Sequence, residues 1–153
     1  MSKRIVLFPG SFDPITKGHE ALVLRAIPLF DEVVVAVGVN TAKQTMFTLA
    51  QRLEFIRNTF ANYPTVKVTT YQGLTINYAV QIGANTILRG LRNSTDFDYE
   101  KSIAQMNKAI SNQVDTVFFI TDPELAAISS TILRELIKGG ANVQPFLPNA
   151  ITI

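Results

Sequence analysis

Five short apolar runs recur along the chain, each separated from the next by a longer stretch with a helical rhythm. The runs are Ile5-Val6-Leu7-Phe8, Glu32 to Val39, Val66 to Tyr71, Thr86-Ile87-Leu88 and Val114 to Ile120. The second is β-branched and nearly continuous, as expected of a parallel strand buried on both faces. Between them, Glu20 to Phe30 is amphipathic, with Pro28 closing it near Leu29. Thr48 is a predicted N-cap for a helix carrying Leu49, Leu53, Phe55, Ile56 and Phe60. Thr75 to Ile82 reads as a short helix stopped by Gly83, Asp96 to Ile110 as a longer one, and Ser129 to Lys138 as a last one ended by Gly139-Gly140. Strands alternating with helices predict an α/β fold. The expectation is a Rossmann-like single domain over residues 1–153, a five-stranded parallel sheet with helices on both faces.

Composition narrows the chemistry. A chain of 153 residues, 47% hydrophobic and 17% charged, is long enough for one sizeable core and too apolar for disorder. The net charge of +2 is spread thinly, with no Lys/Arg run or basic–aromatic interleaving, so nucleic acid is not an expected partner. Having no cysteine excludes disulfides, thiolate catalysis and a Cys-based zinc site, and one histidine excludes a multi-His metal site. No resident metal is expected. With no signal-type apolar segment near the N-terminus and no run of membrane-spanning length, the expected location is the cytoplasm, away from membranes.

The stretch Gly10-Ser11-Phe12-Asp13-Pro14-Ile15-Thr16-Lys17-Gly18-His19 lies between the first strand and the first helix. There it would meet unpaired N–H groups and the positive end of a helix dipole, a natural phosphate site. Neither a Gly-x-Gly-x-x-Gly nor a Walker loop follows the first strand, which argues against a dinucleotide oxidoreductase and a P-loop nucleotidase.

In open parallel sheets ligands bind beyond the carboxyl ends of the strands, and three further segments fall there. Lys43 follows the second strand, where a surface charge and a phosphate partner are both reasonable. Arg89 and Arg92 flank Gly90-Leu91 directly after the fourth strand. They are suited to bidentate phosphate binding, or to pairing with Asp96, Asp98 or Glu100. Ser129, Ser130 and Thr131 open the last helix, where hydroxyls cap the helix or meet a polyphosphate.

The opening loop resembles the signature of the nucleotidyltransferase superfamily of α/β phosphodiesterases. Arg89-Gly90-Leu91-Arg92, Asp96-Phe97-Asp98-Tyr99-Glu100, Met106-Asn107, Ile128-Ser129-Ser130 and Phe146-Leu147-Pro148 extend the likeness nearly end to end. Together they resemble the bacterial phosphopantetheine adenylyltransferases. Related branches that handle nicotinate or nicotinamide mononucleotide, or glycerol phosphate, carry His-x-Gly-His where this chain has Thr16-Lys17-Gly18-His19. An idle nucleotide-binding or assembly module would have little use for His19, Lys43 and both arginines together.

The resemblance implies transfer of AMP from ATP to 4′-phosphopantetheine, giving dephospho-coenzyme A and pyrophosphate. It implies His19, Lys43 and Thr16 as catalytic residues. On the ATP side it implies Ser11, Phe12, His19, Gly90, Leu91, Arg92, Glu100, Leu125, Ala126, Ala127, Ile128, Ser129, Ser130 and Thr131. On the acceptor side it implies Ser11, Lys43, Leu74, Thr75 and Arg89. Mg²⁺ would be carried with ATP, coenzyme A would be an inhibitor, and the assembly would be a homohexamer. Departures from the commoner pattern are Ser11 for Thr, Lys17 for Asn, Gln44 for a second basic residue, Thr131 for Ser, and no aromatic residue near Leu125.

Overall fold

The computed structural model describes residues 2–153 and is a single parallel sheet wrapped by helices. The strands are β1 (Ile5–Gly10), β2 (Glu32–Gly38), β3 (Val66–Tyr71), β4 (Thr86–Leu91) and β5 (Asp115–Ile120). The helices are α1 (Lys17–Ala26), α2 (Leu49–Thr59), α3 (Thr75–Gln81), α4 (Ser94–Ile110) and α5 (Ser130–Lys138). The sheet order is β3-β2-β1-β4-β5, every pair parallel. The chain turns back on itself between β1 and β4, and a crevice opens at that point beyond the strand ends.

Residues along the central strands alternate between two cores, as a pleated strand demands. Val6, Phe8, Val33, Val35, Val37 and Leu88 point to one face and pack with Val23, Ile56 and Leu133 from α1, α2 and α5. Leu7, Val34, Ala36 and Ile87 point to the other and pack with Ile76 and Ala79 of α3. At about 25 cal/mol per Å² of apolar surface, these two layers are the main favourable contribution to folding.

Helix boundaries differ from the sequence expectation by a few residues, each for a local reason. The first helix begins at Lys17 rather than Glu20 because Thr16 caps it, and it tightens into a 3₁₀ turn at Ile27–Leu29 around Pro28. Asn93 caps α4 two residues earlier than expected. Thr48 is the N-cap of α2, completed by Gln51, and Gly83 adopts φ +75° at the end of α3. The larger correction is β4. Arg89, Gly90 and Leu91 lie in the strand, because their backbones continue the ladder opposite Phe118, Phe119 and Ile120 of β5. Gly90 lets the strand approach α1 closely, since a Cβ there would lie 2.5 Å from Leu22 Cδ1 and push that side chain aside.

Candidate active site

His19 is held in place by the start of its own helix. The Thr16 N–H donates to His19 Nδ1 at 3.0 Å, and the His19 N–H donates to Thr16 Oγ1 at 3.3 Å. This is a reciprocal capping box with a histidine in the third position. Because Nδ1 accepts, the ring proton sits on Nε2, the nitrogen left free for a ligand. The Phe12 ring meets the imidazole edge-on at 5.0 Å, and Phe12 itself sits at φ +47°, unusual for a residue with a side chain. Gly10 permits this packing, since a Cβ there would lie 3.1 Å from the Phe12 ring. Burial, and then the charges of Arg89 and Arg92, lower the His19 pKa from 6.5 to about 4. It is a neutral donor at working pH.

Two clefts meet beside this residue. One, about 340 Å³, lies against Ser11, His19, Gly90 and Arg92 and reaches Ile128 to Thr131. The other, about 380 Å³, lies against Gly38, Asn40, Tyr71 and Thr75. Ser11, Lys43 and Arg89 border both. A third hollow, about 280 Å³, continues past Leu74 and Thr75 to Ile103 and Asn107 on α4. Lys43 Nζ donates to Ser11 Oγ at 3.0 Å, which ties the β2–α2 loop to the β1–α1 loop.

Both arginines pair with α4 while remaining on the cleft wall. Arg89 grips Glu100 with Nε at 2.9 Å and Nη2 at 2.7 Å, and its Nη1 donates to the Pro9 carbonyl across the crevice at 2.9 Å. Arg92 Nε donates to Asp96 at 3.0 Å, and that pairing holds the Asp96 carboxyl below its usual range. Asp98 takes no part in these pairs. The anchoring fixes the guanidinium planes and leaves other N–H groups of each for a ligand.

The hydroxyls at α5 are already engaged. Ser129 Oγ accepts from the Ile132 N–H, Ser130 Oγ donates to the Pro14 carbonyl at 2.8 Å, and Thr131 Oγ1 accepts from Arg134. Ser129 and Thr131 accept and so keep an O–H to donate, and the helix start offers the cleft these donors beside its backbone N–H groups. Thr16 is buried, its hydroxyl spent on the cap. Thr75 Oγ1 shares a 2.8 Å hydrogen bond with the Tyr71 hydroxyl. Leu91, Leu125, Ala126 and Ala127 border none of the three hollows.

Three charged residues of the site escaped the sequence reading. Asp13, 3% exposed, accepts from the N–H groups of Met46 and Phe47 at 2.9 Å each. Arg134 donates to the Asp13 carbonyl from α5. Arg52 donates to the carbonyls of Phe47 and Ser11. Only the Asp13 position within the opening loop could have flagged it; the two arginines sit in amphipathic helices, where charge normally marks the solvent face. Among the described residues no cluster of three His, Cys, Asp or Glu side chains could hold a metal ion.

Residues 7–136 match the cytidylyltransferase-like family model. The phosphopantetheine adenylyltransferase of Flavobacterium johnsoniae is 48% identical over 150 residues, covering 98% of each chain. That of Cytophaga hutchinsonii is 47% identical and covers 99% of this chain and all of its own. The chain belongs to the phosphopantetheine adenylyltransferase family. A bifunctional NMN adenylyltransferase/ADP ribose pyrophosphatase from Francisella tularensis shares the fold, with a TM-score of 0.72 at 16% identity. That superposition covers 95% of this chain and 45% of the Francisella one. Within the adenylyltransferase family, the β1–β4 crevice with its two adjoining clefts is this member's candidate site.

Proposed function

We propose that the protein transfers AMP from ATP to 4′-phosphopantetheine, releasing pyrophosphate and dephospho-coenzyme A. The observation that carries this reading is the junction itself: two clefts of substrate size share the wall formed by Ser11, Lys43 and Arg89. ATP occupies the His19 side and the acceptor the Tyr71 side, its arm running past Leu74 toward α4. An oxygen of the acceptor phosphate attacks the α-phosphorus of ATP, a new P–O bond forms, and the bond to pyrophosphate breaks. The attacking oxygen is already anionic, so no side chain has to remove a proton.

Catalysis then consists of alignment and charge stabilisation. His19 Nε2–H donates to the α-phosphate as its negative charge grows. Lys43 reaches the incoming phosphate and the same transition state. Thr16 acts through His19, fixing its tautomer and aim. Arg92 and the α5 N-terminus hold the β- and γ-phosphates; Phe12, Gly90, Glu100 and the segment Ile128 to Thr131 complete the nucleotide side. Mg²⁺ enters as part of the ATP substrate. Coenzyme A, an elaborated product, would compete for the same space.

We place the protein in the cytoplasm, with ATP; no helix among the described residues is long and apolar enough to cross a membrane. A homohexamer fits the exposed apolar residues Tyr99, Ile103, Met106 and Ile110 along α4. The deciding assay is pyrophosphate release from ATP and Mg²⁺ with and without 4′-phosphopantetheine. Nicotinamide mononucleotide, and glycerol 3-phosphate with CTP, serve as controls. Release that depends on phosphopantetheine is the expected result; release only with a control acceptor would refute the substrate assignment.

A further inference from the structure

Arg52 is a charge in an unfavourable place. It closes the first turn of α2, where the helix dipole is positive and no acidic residue balances it. The residue is 6% exposed. None of the salt bridges among the described residues includes it. The Asp13 carboxylate, in the adjoining loop, is spent on the N–H groups of Met46 and Phe47 and lies 3.9 Å from Arg134. A buried cation without a counter-ion is costly, and two neutral carbonyls compensate only part of that cost.

The two carbonyls do not use up the guanidinium. Of its five N–H groups, Nε donates to Phe47 O at 3.2 Å and one on Nη1 donates to Ser11 O at 2.9 Å. The other three find no acceptor among the described residues. Yet no side-chain nitrogen among the described residues is both buried and without a partner, so Nη2, which has none, is reachable from outside with its two N–H groups. Arg52 borders the 380 Å³ cleft together with Lys43, Arg89, Asn40 and Thr75. Three cations and no carboxylate line that hollow.

We infer that Arg52 is a phosphate-binding residue of the acceptor side: its open N–H groups receive the phosphate of the acceptor, and that anion supplies the missing counter-charge. The inference rests on the proposed reaction and extends it, making a phosphorylated end group the feature this cleft selects. The same two carbonyl bonds tie the guanidinium to the Ser11 loop and the Lys43 loop. An anion gripped there is thereby set against both.

Calorimetry and kinetics on Arg52→Gln and Arg52→Lys test this. A charge-assisted hydrogen bond contributes about 1.5–3 kcal/mol, or roughly ten- to a hundredfold in affinity. Arg52→Gln should raise the KM for 4′-phosphopantetheine by at least about tenfold. The KM for ATP should stay within about twofold, and Arg52→Lys should recover part of the loss. An unchanged acceptor KM, or equal rises in both KM values, would overturn the inference. A readout on the unaltered protein removes any dependence on variant folding. The Arg52 Nε–H NMR signal, assigned by its own side-chain connectivities, should move on adding 4′-phosphopantetheine and stay put with unphosphorylated pantetheine. If 4′-phosphopantetheine binds but that signal does not move, this inference alone fails. If it does not bind at all, the reaction proposed above fails too.

Discussion

His19 shows how a histidine in the first turn of a helix becomes a specialised donor. Its Nδ1 is occupied by the Thr16 N–H, its ring lies among Phe8 and Phe12, and Arg89 and Arg92 add positive potential. The Thr16 N–H selects the tautomer with its proton on Nε2, while burial and the two arginines favour the neutral ring. Because the chain has one histidine, its imidazole can be followed by NMR without assignment. The titration midpoint should lie near 4; a midpoint near 6.5 would show that the ring is solvated and the capping box open. The stability consequence has a definite sign. Between pH 6.5 and about 4 the unfolded chain binds a proton that the folded one does not. The His19 contribution is therefore complete above 6.5 and declines as pH falls toward 4, a slope that His19→Gln should flatten in thermal melts. Functionally, His19→Ala should lower kcat by at least about a hundredfold while the far-UV spectrum is unchanged, since the α-phosphate loses a placed donor. Near-normal turnover would remove His19 from the mechanism.

At the scale of elements, the site depends on how closely β4 approaches α1. A methyl group at Gly90 would force the facing Leu22 side chain, packed in the core, to shift. Gly90→Ala should cost about 1–3 kcal/mol, as overpacking does, and lower the melting temperature. The strain falls on the wall of the ATP-side cleft, so the KM for ATP should rise more than that for the acceptor; an unaltered melting curve would mean the helix yields easily. This part of the molecule was hardest to read from sequence. Buried parallel strands such as Val33 to Val37 declare themselves by a nearly continuous β-branched run, and Thr48 and Gly83 declare helix ends by their chemistry. Arg89-Gly90-Leu91-Arg92, by contrast, has loop-like composition, and only the pairing with β5 makes its first three residues strand. The motif loop disclosed His19, Ser11 and Asp13 as neighbours in sequence. It could not disclose that Asp13 would be spent on the backbone of the Lys43 loop, or that Arg52 would turn inward from a helix whose other charges face solvent.

The molecule as a whole leaves one helix conspicuously uncovered. Over seventeen residues α4 buries only Glu100, while Tyr99, Ile103, Met106 and Ile110 form an exposed stripe at helical spacing, Met106 being 64% accessible. Strand β5 beside it is an open edge of the sheet, with Ile120 exposed at its end. A solitary soluble domain gains nothing from such a surface, whereas association would remove it from water. A second connection runs inward: Ile103 and Asn107 of the same helix line the hollow beyond Leu74 and Thr75. Holding α4 in an assembly would therefore steady the wall of that hollow, where the proposed acceptor arm would lie. Light scattering should give six times the chain mass for the unaltered protein. Met106→Glu combined with Ile110→Glu should shift it to smaller species, since charges buried at an interface without partners are costly. If the stripe serves assembly, those smaller species should also show a higher KM for 4′-phosphopantetheine at a little-changed KM for ATP. An unaltered mass in the double variant would mean that α4 faces solvent in the working enzyme and that the hexamer, if formed, uses another surface.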